Sequence, residues 1–224
     1  PGLGNQFALT GIGAALRIAN GPERLFKREG DYVARTTLRP ATLKIGSATL
    51  VGSNIALDSS RNFVISDLAS FVAPNIAVSG DTLRFANVGL KREIEAKFAA
   101  ASRLTLRSPD AIGFSSGVHD FNNLVIDSPA IARVAIGPAQ SLATADVVIN
   151  ADVFTWFNTA KDFSGCLGAI SRACGAAGSS LAINANEVIF GSGGVGVYGF
   201  NNRSQVSLTA RNGIYVEGTG SLSV

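Results

Sequence analysis

The side chains best suited to chemistry are few in this chain. There is one histidine, His119, followed directly by Asp120, and there are two cysteines, Cys166 and Cys174. A His-Asp neighbour pair points to a general base or a metal ligand. The simpler expectation is a loop histidine just ahead of a strand at Leu124. One histidine and two cysteines fall short of a zinc site in both ligand number and spacing, so no metal and no cofactor is expected. Carboxylates are more numerous, and glycoside hydrolysis needs two of them facing each other across the scissile bond. Asp58 and Asp127 hold equivalent places in the repeat described below, but several repeats apart, and Asp110 and Asp120 are close enough in sequence to share a local surface. Neither an adjacent Asp-Asp pair nor a Gly-His-Gly element occurs. The residues therefore nominate no catalytic group, and the chain is not read as an enzyme. Gly191-Ser-Gly-Gly-Val-Gly196 has the glycine content of a phosphate-binding loop but lacks its Gly-Lys-Ser/Thr ending and following helix, and reads as a wide turn between strands.

Two other sets of residues call for partners rather than catalysis. Cys166 and Cys174 lie in a Gly/Ala-rich stretch, and such an even, closely spaced pair reads as one small disulfide loop formed in an oxidising compartment. The alternative is two free thiols on a short helix. Residues that far apart on a continuous helix are separated by about 12 Å, whereas a disulfide needs Cα atoms within about 7 Å, so a bonded pair requires the segment to fold back. The aromatics Phe157, Phe163, Tyr198 and Phe200 sit near breaks in the repeat, where exposed rings stack on sugars or anchor a protein partner. They are the candidate ligand contacts. Phe85, Phe114, Trp156 and Phe190 share one column of the repeat and are read as core.

Composition narrows the elements that must hold these residues. Apolar residues make up 46% and charged ones 16% of the chain, which excludes a disordered segment. Gly, Ser, Asn and β-branched residues dominate, so the expected class is all-β and rich in turns. A net charge of +3 from scattered basic residues gives no reason to expect a nucleic-acid partner. No apolar run reaches the ~20 residues of a membrane-spanning helix. The chain begins at Pro1 and contains no Met, which reads as a processed form or a cut fragment.

A repeat organises the chain. Asn54-Ile-Ala-Leu-Asp-Ser, Asn75-Ile-Ala-Val-Ser-Gly, Arg103-Leu-Thr-Leu-Arg-Ser, Asn123-Leu-Val-Ile-Asp-Ser, Asp146-Val-Val-Ile-Asn-Ala, Ser180-Leu-Ala-Ile-Asn-Ala and Gln205-Val-Ser-Leu-Thr-Ala share one pattern. Two aliphatics flank a spacer, which puts both on one face of a strand, and a polar-small pair then marks a corner. The second aliphatics, Leu57, Val78, Leu106, Ile126, Ile149, Ile183 and Leu208, recur at a minimal period of about 20 residues stretched by insertions. Ile65, Phe85, Phe114, Val134, Trp156, Phe190 and Val216 follow them at a near-constant offset. Two columns in step predict a solenoid, in which each coil buries its inward side chains on the next and corner residues such as Asn150 and Asn184 stack as an amide ladder. The whole of 1–224 is read as one such segment. Residues 1–53 give the initial coils with a charged irregular insertion at 21–40, and residues 54–224 give regular coils with insertions at 90–101 and 158–179. In the first of these, Leu90, Ile94 and Phe98 predict a short amphipathic helix with Lys91, Arg92, Glu93, Glu95 and Lys97 facing water. The second, with both cysteines, is expected to protrude as a loop. Ser221 to Val224 reads as the start of another strand, so further coils are expected to follow.

The stretch Ala41-Thr-Leu-Lys-Ile-Gly-Ser-Ala-Thr-Leu-Val-Gly-Ser-Asn-Ile-Ala-Leu-Asp-Ser-Ser60 resembles the filamentous-haemagglutinin family of two-partner secretion exoproteins. The likeness is one of repeat style and extends over most of residues 41–224. It implies a right-handed parallel β-helix, export through a dedicated outer-membrane transporter, and a secreted or cell-surface structural and adhesive role towards a host or bacterial glycan or protein. No secretion-signal motif of the family's amino-terminal domain is present, and no functional residue is carried over. The alternatives are a carbohydrate-active β-helix enzyme and a glycan-binding module using the 158–179 loop.

Overall fold

The computed structural model describes residues 5–9, 13–19, 42–59, 62–80, 83–85, 90–109, 111–134, 146–159, 180–198, 206–218 and 220–223. These residues form an all-β structure with one short helix, and every strand pairing among them is parallel. The insertion at 21–40 and the segment 160–179, with Cys166 and Cys174, lie outside the described residues.

Strands are numbered along the chain. The largest sheet runs through β2 (Ala15–Ala19), β5 (Asn54–Ser59), β8 (Asn75–Gly80), β10 (Arg103–Arg107), β13 (Asn123–Asp127), β15 (Val147–Phe157), β16 (Leu181–Phe190) and β18 (Val206–Val216). A ninth strand, β12 (Gly117–Asp120), pairs with the first half of β15. A three-stranded sheet holds β1 (Asn5–Ala8), β4 (Ala48–Val51) and β7 (Ser70–Val72). A two-stranded sheet joins β3 (Leu43–Ile45) to β6 (Phe63–Ile65), and a five-stranded one holds β9 (Leu83–Phe85), β11 (Ile112–Phe114), β14 (Ala130–Arg133), β17 (Gly193–Tyr198) and β19 (Gly220–Ser223). Most strands adjacent in sequence enter different sheets, the exceptions being β12 with β13 and β15 with β16, which share the largest one.

The register creates two unbroken columns. Leu16, Ile55, Ile76, Leu104, Leu124, Phe154, Val188 and Ile214 are successive partners, as are Ile18, Leu57, Val78, Leu106, Ile126, Trp156, Phe190 and Val216. Alternation turns both columns to one face, and between β5 and β15 they are no more than 2% exposed. Burying each such side chain is worth about 1.5–3 kcal/mol. The stacking of Leu57, Val78, Leu106 and Ile126 is as the repeat predicts. Beyond Ile126 the observed column departs from it, because the next partner is Trp156 and not Ile149. Ile149 stacks instead on His119, and Ile183 and Leu208 continue that third column. The second expected column also breaks, since Phe114 pairs with Arg133 and not Val134. The reason is length. β15, β16 and β18 each carry two strand-lengths, so their first halves align with β12, whose Gly-Val-His-Asp sequence lacks the aliphatic pair that marks the other strands.

Helix α1 (Arg92–Ala99) follows β9 at the point where the alternation of β4, β5, β6 and β7, β8, β9 calls for a strand. It is shorter than the expected 90–101: Ile94 and Phe98 are buried on it as expected, whereas Leu90, also buried, precedes it in a bridge to Phe85. Phe98 packs on Phe71 of β7 with ring centroids 5.0 Å apart. β7 and β12 do not pair with each other, and α1 has side-chain bonds to the neighbourhood of both. Lys97 Nζ donates to the carbonyls of Asp67 and Ala69, just before β7. Arg92 donates through Nη1 to Val118 O at 2.6 Å and through Nη2 to Ser116 O at 3.0 Å, at β12. Asn122 Nδ2 closes the other end of the helix on Ala101 O at 2.9 Å.

The glycine-rich stretch has a different role from the wide turn expected. Only Gly191 and Ser192 lie outside strands, and Gly193 opens β17. In the largest sheet β15 separates β13 from β16, yet β14, which follows β13, pairs directly with β17, which follows β16. The turn before β17 instead lies against the chain that leaves β15. A Cβ on Gly191 would stand 2.7 Å from Phe157 Cβ, and one on Gly193, at φ 99°, would strike Asn158 O. Glycine alone fits such an approach.

Candidate functional site

The densest meeting of chemistry-bearing side chains lies between α1 and β12. Alternation along β12 sends His119 inward, where it is 1% exposed. Glu95 lies on α1 next to Ile94 and one turn before Phe98, so it rides the edge of the apolar face. It is buried, at 4% exposed, contrary to the expectation that it faces water. His119 Nδ1 lies 2.6 Å from Glu95 Oε1, and Nε2 lies 2.8 Å from Ser115 O. A carbonyl only accepts, so Nε2 carries a proton, and one further proton lies between Nδ1 and Oε1. The pair is therefore neutral overall whichever partner holds that proton. Arg92 Nη1 stands 3.9 Å from Oε1 at the solvent side, and the Phe114 ring meets the imidazole edge-on at 4.9 Å. Glu95 Oε2 is buried with no hydrogen-bond partner among the described residues.

This arrangement joins two elements through both ring nitrogens of His119. A base must present a nitrogen to its substrate within hydrogen-bond reach, and both ring nitrogens of His119 are occupied by protein atoms in a sealed pocket. No group of three or more His, Cys, Asp or Glu side chains able to hold a metal occurs among the described residues. What the cluster does is tie the helix to the strand beside it. Gly117 belongs to the same device. At φ 120° it turns the chain into β12, and a Cβ there would stand 2.5 Å from Arg92 Nη2.

The carboxylates are dispersed. Asp58, Ser79, Arg107 and Asp127 occupy one column, so the two aspartates sit three strands apart, roughly 14 Å at 4.8 Å per strand. That exceeds the separation of any carboxylate pair used in glycoside hydrolysis, at most about 9.5 Å. Asp58 is engaged by Arg17 Nε. Asp127 takes the Thr159 N–H at 3.0 Å and hydroxyl at 2.9 Å, with Arg107 Nε 3.8 Å away. Asp120, the outward neighbour of His119, accepts from Asn150 Nδ2 at 2.7 Å, and Asn150 Oδ1 accepts from Asn184 Nδ2 at 3.0 Å. This is the expected amide ladder, extended by one carboxylate. Asp110 lies outside the described residues.

Of the candidate ligand contacts, Phe157 ends β15, half-buried, opposite Asp127. Tyr198 ends β17 opposite Ala132 and Gly196, its near neighbour in the strand, opposite Ala130. Phe163 and Phe200 lie outside the described residues, as does the Cys166–Cys174 pair. The sequence pointed to His119 but placed it in a loop, and it gave no hint of Glu95 as its partner. No family model, curated protein or solved structure matches the chain.

Proposed function

We propose that this chain is a stiff segment of a right-handed parallel β-helix, part of a large secreted or surface-displayed bacterial exoprotein of the filamentous-haemagglutinin type, with a structural and adhesive role and no catalysis. The observation that supports it best is the pair of apolar columns running through eight parallel strands without a break. Stacked repeats of this kind bury their core only on their neighbours, which favours extended, quasi-linear assemblies. In this reading the separate sheets are sides of one coil, and α1 replaces a strand on one side. Export uses an outer-membrane two-partner secretion transporter, and the ligand is a surface glycan or protein met by laterally displayed segments. The sealed state of His119 and the wide spacing of Asp58 and Asp127 favour a scaffold over a glycosidase.

Small-angle scattering tests the shape, and a turnover screen on acidic polysaccharides with a parallel glycan and cell-binding assay tests the role. An elongated particle that binds cells or glycans without cleaving them is expected. A near-spherical particle defeats the β-helix, and turnover defeats the scaffold.

A further inference from the structure

His119 and Glu95 fasten α1 to β12 through a contact that admits only one count of protons. Nδ1 and Oε1 stand 2.6 Å apart. Two bare lone pairs do not face each other at that distance, so a proton must lie between them. A further proton would fall to Glu95 Oε2, which is buried and has no acceptor among the described residues. It would also leave a net positive charge in a sealed site where Arg92 Nη1 already stands 3.5 Å from Nδ1. The short contact thus refuses fewer protons, and burial beside Arg92 refuses more. The other charges around the pair do not alter this count. Asp120 turns outward to Asn150, Lys97 bonds on the β7 side, and Lys91 and Glu93 are exposed. Arg133 on β14, the strand partner of Phe114, is a second positive group. Phe114, Ser115 and Ile149, from β11, the turn after it and β15, are uncharged.

We infer that α1 is a proton-dependent latch: docking it on β12 requires one proton shared by His119 and Glu95, so it is held tightest in mildly acidic surroundings and loosens as the pH rises. Released into water, an imidazole gives up its proton at about pH 6.5 and a carboxyl group at about pH 4.3. Between those values the released groups carry as many protons as the docked pair, and docking is indifferent to pH. Above about pH 6.5 they carry one fewer, so docking takes up a proton and weakens about tenfold per pH unit. Below about pH 4.3 they carry one more, and docking weakens in that direction too. Release frees the Ser116 and Val118 carbonyls from Arg92 and uncovers the edge of β12 that has no strand partner among the described residues. The inference stands on this contact alone and is independent of the adhesive role.

Glu95→Gln tests it on the whole 224-residue chain. The amide serves Nδ1 of a neutral imidazole and needs no extra proton, so the folded variant holds one proton fewer than the unmodified protein, while the two unfolded chains match above about pH 6. All other titrating groups are common to both and cancel in the comparison. The urea-unfolding constants of the two proteins are therefore expected to change relative to each other by about a hundredfold between about pH 6 and about pH 8, with the unmodified protein favoured at the acid end. A purely packing role for Glu95 would give a ratio that does not move with pH. His119 is the one histidine in the chain, so nitrogen NMR of the unmodified protein reads the same site without relying on the variant. A protonated Nε2 and ring shifts that stay constant over that pH range are expected. A pH-independent ratio overturns the inference, and so does a ring that titrates there as a free imidazole does.

Discussion

His119 and Asp120 are neighbours on one strand, yet they head two unlike polar clusters. His119 turns inward to Glu95 on a helix, sealed from water. Asp120 turns outward to Asn150 and, through it, to Asn184, in contact with solvent. The first joins elements that share no backbone ladder. The second runs alongside strands that already pair through their backbones. The bonds themselves are similar in length, so the difference lies in what water can replace. An exposed amide that loses its partner is rehydrated, whereas a buried carboxylate that loses its partner stays unpaired.

The largest effect is expected from His119→Ala, which leaves Glu95 buried without its partner and costs about 3–5 kcal/mol in urea unfolding. A loss no greater than at a surface site would remove the distinction. Gly117→Ala comes next, at about 1–3 kcal/mol, because a side chain at its positive φ is strained and displaces Arg92. Glu95→Gln sharpens the contrast. The amide can donate to Nδ1 of a neutral imidazole whose Nε2 still serves Ser115, so the loss should stay below about 1.5 kcal/mol. A loss as large as that of His119→Ala would show that ionic attraction, not bonding, holds the helix. Asn150→Ala is the mildest, at about 0.5–1 kcal/mol, read by the same unfolding curves, and adding Asn184→Ala should cost almost nothing more.

What was legible in the sequence follows this division. The aliphatic triplets at Ile55-Ala-Leu57 and Leu124-Val-Ile126 announce their strands and register, since alternation records directly which face is dry. Ile94 and Phe98 announce the helix. β12 stayed hidden because its inward residue is a histidine, and a histidine registers as core only when its partner is known. That partner comes from a helix one repeat earlier, a relation that local pattern does not encode. Missing β12 moved the later columns by one strand-length, placing Ile149 where Trp156 belongs. The glycines of 191–196 were noticed, but what crowds Gly191 and Gly193, Phe157 and Asn158, lies one repeat earlier, beyond any short window.

The helix in the strand's place also sets an order of events. As the chain emerges, β8 can settle on β5 as soon as it is made, because its template already exists. α1 finds such a template only on its β7 side, through Phe98 and Lys97. Glu95 must await an imidazole 24 residues downstream, and Arg92 must await carbonyls 24 and 26 residues downstream. β10 and β11 can meanwhile pair with β8 and β9, so α1 is held on one side first and fastened on the other only when β12 arrives.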